Sequence, residues 1–205
     1  MALLSEDEQR QVAEAIAHIE QRTDAELVAV LAARADDYAY VPLVWAGAMA
    51  LLGPGLFNYC TGWLSANQLL LAQLVTFVGI ALVCRIPRVT ARLVPSSVRR
   101  WRAGNLARRQ FFEQNLHTAS GGTGILLFVC EAERYVEILV DYGISSRLSD
   151  ETWKAMVDVF TQQMRNGQNL NGFLGCLRAC DELLAYHLPA TRGHSELSNR
   201  LVVLS

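Results

Sequence analysis

The sequence predicts a mixed α/β chain interrupted by an apolar helical hairpin. Three observations predict it. First, the run from Tyr38 to Cys84 contains no Asp, Glu, Lys, Arg or His, and is more than twice the ~20 residues one bilayer span requires. Second, the stretch after it carries two short apolar runs joined by a tight polar connection, the mark of a strand hairpin. Third, amphipathic patterns of helical period lie at both ends of the chain.

The 205 residues include 52% hydrophobic side chains and a net charge of -2. The apolar excess is concentrated in the central run. Without that run roughly 155 residues remain, enough for one compact domain with its own core. The net charge implies nothing global about partners; the local distribution of arginines does. The five cysteines, Cys60, Cys84, Cys130, Cys176 and Cys180, lack the even count and spacing of a disulfide framework and read as small buried thiols.

Met1 to Glu8 lacks a basic start and a long apolar stretch, so it is not expected to be a signal peptide. Ser5-Glu6-Asp7-Glu8 fits a capping box, and Val12, Ile16 and Ile19 follow at helical spacing to about Arg22. Asp24 to Ala33 reads as a strand, nearly continuous in apolar residues as a strand covered on both faces is, with a helix as the alternative for so Ala-rich a stretch. Asp36-Asp37 then marks a solvated boundary.

The uncharged run divides into helices at about 40–59 and 66–84. A polar turn, Thr61-Gly62-Trp63-Leu64-Ser65, lies between them. Tyr38, Tyr40, Trp45, Tyr59 and Trp63 fit interfacial anchoring, and Gly53-Pro54-Gly55 is expected to kink or end the first helix. Arg85, Arg88, Arg92, Arg99, Arg100, Arg102, Arg108 and Arg109 follow the second helix, and the turn has none. Positive charge stays on the cytoplasmic side, so both termini are expected there, in a multi-pass protein of the inner membrane. The first helix and strand can then fold with the C-terminal half.

Pro95-Ser96-Ser97 starts a basic helix over about Val98–His117, with Trp101, Phe111, Phe112 and Leu116 as apolar contacts. Its arginines orient the hairpin and face lipid headgroups, so the region Arg85–Arg109 is a candidate surface for anionic lipid. Arginine beside a membrane already has an explanation, and no nucleic-acid partner is expected. Ala119-Ser120-Gly121-Gly122-Thr123-Gly124 has the composition of a phosphate cradle. A cradle opens a helix, whereas this turn opens the strand Ile125–Cys130. Glu131-Ala132-Glu133-Arg134 turns the chain into a second strand, Tyr135–Asp141, in an antiparallel pair.

Ser149 caps a helix whose buried stripe is Trp153, Met156, Val157, Phe160 and Met164. Asn166-Gly167 ends it. A last helix, about Asn171–His187, presents Phe173, Leu177, Cys180 and Leu184. The tail, Glu196 to Leu204, ends in Leu201-Val202-Val203-Leu204, suited to a short strand or to packing on the domain.

Gly124-Ile125-Leu126-Leu127-Phe128-Val129, Glu133-Arg134-Tyr135-Val136-Glu137-Ile138 and Tyr142-Gly143-Ile144 together resemble the TPM domain family. Leu148-Ser149-Asp150 is similar to its Leu-Thr-Asp helix start, Gly167 and Gly172 to the glycines between its last two helices, and Thr23–Val30 to its first strand. A bacterial membrane subgroup shares the interrupting hairpin and the Leu-Val-Val-Leu-like tail. The resemblance implies an α/β/α sandwich with a small mixed sheet. It also implies functions that range from phosphatase activity to photosystem maintenance and receptor accessory roles, with calcium binding associated with the fold. Many members carry an acid just before the strand hairpin. Here the corresponding place, Gly122-Thr123-Gly124, has none.

The expected organisation is a first helix and strand (1–37), the hairpin (38–84), a basic juxtamembrane helix (85–118) and the remainder of the domain (119–205). No residue is assigned as catalytic, cofactor-binding or metal-ligating: His18, His117, His187 and His194 share no metal spacing, and no nucleophile, base and orienting group stand together. Two functions follow. One is an accessory, assembly or maintenance factor that meets the bilayer and a membrane-protein partner. The other is a membrane-bound phosphatase-like hydrolase, for which Glu131, Glu133, Asp141, Asp150 and Glu151 would have to converge with Arg134 or a metal on one pocket.

Overall fold

A computed structural model describes residues 3–38, 40–84, 94–191 and 201–204. The chain falls into two compact units. One joins Met1–Ala35 to Arg100–Ser205, and the other is Asp36–Arg99.

The first unit is a mixed α/β domain built on four strands. They are β1 (Glu26–Ala32), β2 (Gly124–Cys130), β3 (Tyr135–Val140) and β4 (Leu201–Leu204), in the order β3-β2-β1-β4. β1 pairs in parallel with both β2 and β4, whereas β2 and β3 are antiparallel. β1 and β2 are buried at every position. Their continuous apolar sequences are explained by helices on both faces of the sheet.

On one face Leu27, Ala29, Leu31, Ile125, Leu127 and Val129 meet three helices. These are α1 (Glu6–Arg22), α6 (Asp150–Arg165) and α7 (Asn169–His187). α1 starts at the capping box: Glu8 accepts from the Ser5 amide at 2.7 Å, and Ser5 accepts from the Glu8 amide at 3.4 Å. Val12, Ile16 and Ile19 are its buried residues, as their spacing requires. Phe160 and Phe173 pack edge to face, with ring centroids 5.0 Å apart, where α6 crosses α7. Gly167, with φ 74°, takes the left-handed conformation just past α6.

On the other face Val28, Val30, Leu126 and Phe128 meet Ala103, Ala107 and Phe111 of α4 (Ser96–Glu113). This helix departs from its predicted span. It stops at Glu113, and Leu116–Thr118 form a separate 3-10 turn after Asn115, whose φ is 56°. Its buried face is also made mostly of small residues, while Trp101 and Phe112 are each 59% exposed. The reason is steric. A Cβ on Gly104 would stand 3.2 Å from Tyr135 Oη, so small side chains let the helix approach the sheet. Arg102 lies over the exposed Trp101 ring at 5.1 Å.

The second unit contains α2 (Tyr40–Thr61) and α3 (Ala66–Val83), which pair with each other. α2 does not end at Gly53-Pro54-Gly55; it continues to Thr61 with Pro54 inside. Asn58 Oδ1 accepts from the Leu64 amide at 2.8 Å, and Gln68 accepts from the Ser65 amide at 2.9 Å, which closes the connection. Both helices are long and apolar enough to cross a membrane, with mean hydropathy 1.5 and 1.8. Arg85, Arg88 and Arg92 lie outside the described residues, as do His194 and the start of the tail. The end of the tail is β4, so Leu201–Leu204 is a strand.

Candidate functional site

The short β2–β3 connection separates the acidic residues that the sequence places close together. β3 runs back along β2, with Cys130 opposite Tyr135 and Ile125 opposite Val140. Glu131 and Glu133 therefore stand at the carboxyl end of β2, and Asp141 stands beyond its amino end. At ~3.3 Å per residue, the two groups are ~20 Å apart.

The amino end is built by close backbone approach. Gly121 and Gly122 have φ 81° and 67°. A Cβ on Gly124 would lie 2.3 Å from the Leu116 carbonyl oxygen, and one on Gly143 2.1 Å from that of Gly121. Only glycine fits at these two positions. Thr123 donates its hydroxyl to the Asp24 carbonyl at 2.9 Å. Asp141 caps the one-turn helix α5 (Tyr142–Ser145), accepting from the Tyr142 amide at 2.7 Å. The glycine-rich turn thus leads into a strand and is packed against Gly143. It is not the mouth of a helix-borne phosphate cradle.

Asp150 and Glu151 open α6, where acids suit the positive end of the helix dipole. Local backbone hydrogen bonding, helped by the Ser149 hydroxyl, holds the Glu151 carboxyl below its usual range.

At the carboxyl end, Glu133 is buried. Its carboxylate accepts from the Cys130 thiol at 2.7 Å and from the Ala35 amide at 3.0 Å. Burial pushes the Cys130 thiol up, and the neighbouring Glu133 adds to the shift. Cys130 is therefore a protonated donor that pins the turn, and not a thiolate nucleophile. Arg134 stands on the same turn with φ 50°. It lines an open cavity together with Arg165 and Asn169 from the other end of the domain sequence. Nothing in the local sequence connects Arg165 to Arg134; helix α6 brings them together by crossing the sheet.

Of the residues a hydrolase would need, the fold thus groups Glu131, Glu133 and Arg134 at one end of β2, away from Asp141. Among the described residues, no set of three or more His, Cys, Asp or Glu side chains has the geometry of a metal site.

Residues 93–183 match the model of the TPM domain. That stretch holds all of α4, the strands β2 and β3, α5, α6 and most of α7. The chain also resembles the NMR structure of the BA42 protein from the psychrophilic bacterium Bizionia argentinensis. The TM-score is 0.59 at 15% identity, over 98% of this chain and 94% of the other. At that identity the likeness is one of fold. No curated protein matches the chain.

Proposed function

We propose, on the premise that this chain carries a TPM domain, that it is an inner-membrane accessory protein whose domain binds a membrane-protein partner. In this reading α2 and α3 cross the bilayer, both termini are cytoplasmic, and the domain is an α/β/α sandwich interrupted by its own anchor. The exposure of the hairpin carries the reading. In α3 no residue of the most apolar window is buried, and in α2 only 17% are. A core helix of a soluble domain hides such a surface; a span leaves it for lipid. The arginines after α3, against none in the turn, favour the cytoplasmic orientation.

A binding role is favoured over hydrolysis by the division of the carboxylates between the two ends of β2. General acid-base work on a phosphoryl group needs them within hydrogen-bond reach of one substrate.

The test has two parts. A reporter at Ser65 should be extracytoplasmic, and alkaline extraction should leave the protein in the membrane; a cytoplasmic Ser65 reporter overturns the topology. In-membrane crosslinking should then recover one reproducible integral-membrane partner. Recovery of the protein alone, or hydrolysis of a phosphomonoester that Asp141→Asn abolishes, overturns the accessory role.

A further inference from the structure

The sheet divides the charge of the domain between its two faces. On one face α1, α6 and α7 carry ten carboxylates against five arginine and lysine side chains. On the other, α4 carries five arginines and one glutamate. From this asymmetry, and from the side chains that α4 turns outward, we propose that the outer face of α4 docks on the surface of an anionic phospholipid bilayer. The proposal rests on the membrane reading above and adds to it the side of the domain that meets lipid.

The outward side chains decide the occupant. Eleven residues make about three helical turns, so Trp101 and Phe112 stand in one line, ~16 Å apart. Asn105 and Arg108 fall on the same line between them. Ala103, Ala107 and Phe111 lie on the other side, against the sheet. Trp101 and Phe112 are each 59% exposed, and Arg100, Arg108 and Arg109 are exposed beside them. α1 shows what a helix of this domain presents to water: every exposed position in it is polar, from Glu6 to Arg22. α4 instead exposes a tryptophan and a phenylalanine among arginines. That is the composition of a helix lying in a membrane interface, where an indole ring sits at headgroup depth and guanidiniums meet anionic lipid. A protein partner is anchored by residues clustered at the centre of its interface. Two rings held apart by Asn105 and Arg108 suit a flat surface better.

Carboxylates do not cancel this charge. Of those on the α4 side of the strands, Glu26 and Glu133 are buried, and Glu137 accepts the Tyr135 hydroxyl at 2.9 Å. Glu113 pairs with Arg109 at 2.7 Å. Arg102 lies over the Trp101 ring, so a cation and an indole are presented together. The chain also keeps the surface within reach. α3 ends at Val83 and α4 begins at Ser96, a connection that extends no more than ~45 Å.

The test is photocrosslinking of the full chain in nanodiscs of phosphatidylglycerol and phosphatidylcholine. The probe is p-benzoylphenylalanine in place of Phe112, or in place of Gln11 on α1 as the control. Both sites are exposed, so neither replacement touches the core. Mass spectrometry should find a phospholipid adduct at position 112 and none at position 11. The adduct should fall up to about fivefold in Arg108→Gln, the effect of one basic residue at an anionic surface, and should fall again in nanodiscs of phosphatidylcholine alone. No adduct at position 112, an equal adduct at position 11, or the same yield without phosphatidylglycerol overturns the proposal. So does a protein crosslink without lipid in native membranes, which assigns the face to a protein partner. The same probe in place of Leu74 of α3 separates the proposal from the reading it rests on. Lipid adducts at position 74 with none at position 112 leave the span standing and remove the docking face. No adduct at either position removes both.

Discussion

The domain and the hairpin use the same side chains in opposite places. In the domain Leu27, Leu126 and Leu177 are at most 1% exposed, whereas Leu52, Leu70 and Leu74 in the hairpin are 60% exposed or more. Leucine has not changed its chemistry; the surroundings that receive it have. The domain hides apolar area from water between sheet and helices. The hairpin presents it outward, where the proposed solvent is lipid and where a lone helix must satisfy its own backbone. In the proposed bilayer the same constraint favours a helix that continues through Pro54. Losing one backbone hydrogen bond costs less than opening several in hydrocarbon.

The comparison breaks most completely at a contact that only backbone can occupy. Gly143→Ala places a Cβ 2.1 Å from the Gly121 carbonyl oxygen. A loss above ~4 kcal/mol is expected, the range reserved for such mechanisms. Limited proteolysis of the protein in nanodiscs should show the domain degraded and a hairpin fragment protected. Equal protection of both would show that the two regions do not fold by separate rules.

Core and hairpin substitutions come next. Phe160→Ala should lower domain stability by ~3–5 kcal/mol in denaturant titrations, from lost burial and the cavity beside Phe173. Leu74→Ala, at a position 60% exposed, should leave the domain transition within ~0.5 kcal/mol. Leu74→Arg sharpens the contrast. At the middle of α3 it should disfavour membrane insertion by ~3 kcal/mol in a translocation assay. Unchanged insertion would place α3 outside the bilayer.

A further expected effect is confined to alkaline pH. Burial, with Glu137 accepting its hydroxyl hydrogen at 2.9 Å, pushes Tyr135 up to about 12. The folded state therefore favours the neutral phenol. The contribution is complete below the unfolded value of ~10 and is lost as pH rises through about 12. Denaturant midpoints measured at pH ~9 and ~11 should fall more steeply for the parent than for Tyr135→Phe. Parallel slopes would remove Tyr135 from the alkaline transition.

Features that depend on near neighbours are legible along the chain. The Ser5–Glu8 capping box, the Val12-Ile16-Ile19 stripe and the Gly167 stop each involve residues within a turn or two. α4 shows where that reading fails. Of the large side chains that read as its contacts, Phe111 and Leu116 are buried, but Trp101 and Phe112 are exposed, and the small Ala103, Gly104 and Ala107 supply the rest of the buried face. Size attracts notice in a sequence, while close packing on a sheet selects for its absence.

The sequence by itself determined that an uncharged, apolar stretch cannot be a water-facing surface, and that strands as apolar as β1 and β2 must be covered on both sides. These follow from composition and period alone. Only the tertiary structure decided that β1 pairs with β2 across the whole inserted hairpin, and with β4 from the far end of the chain. It also decided that Glu133 and Asp141, eight positions apart, lie at opposite ends of a strand, while Arg134 and Arg165 share one cavity. Strand direction and helix crossing set those distances, and neither is encoded by residues that are neighbours in the chain.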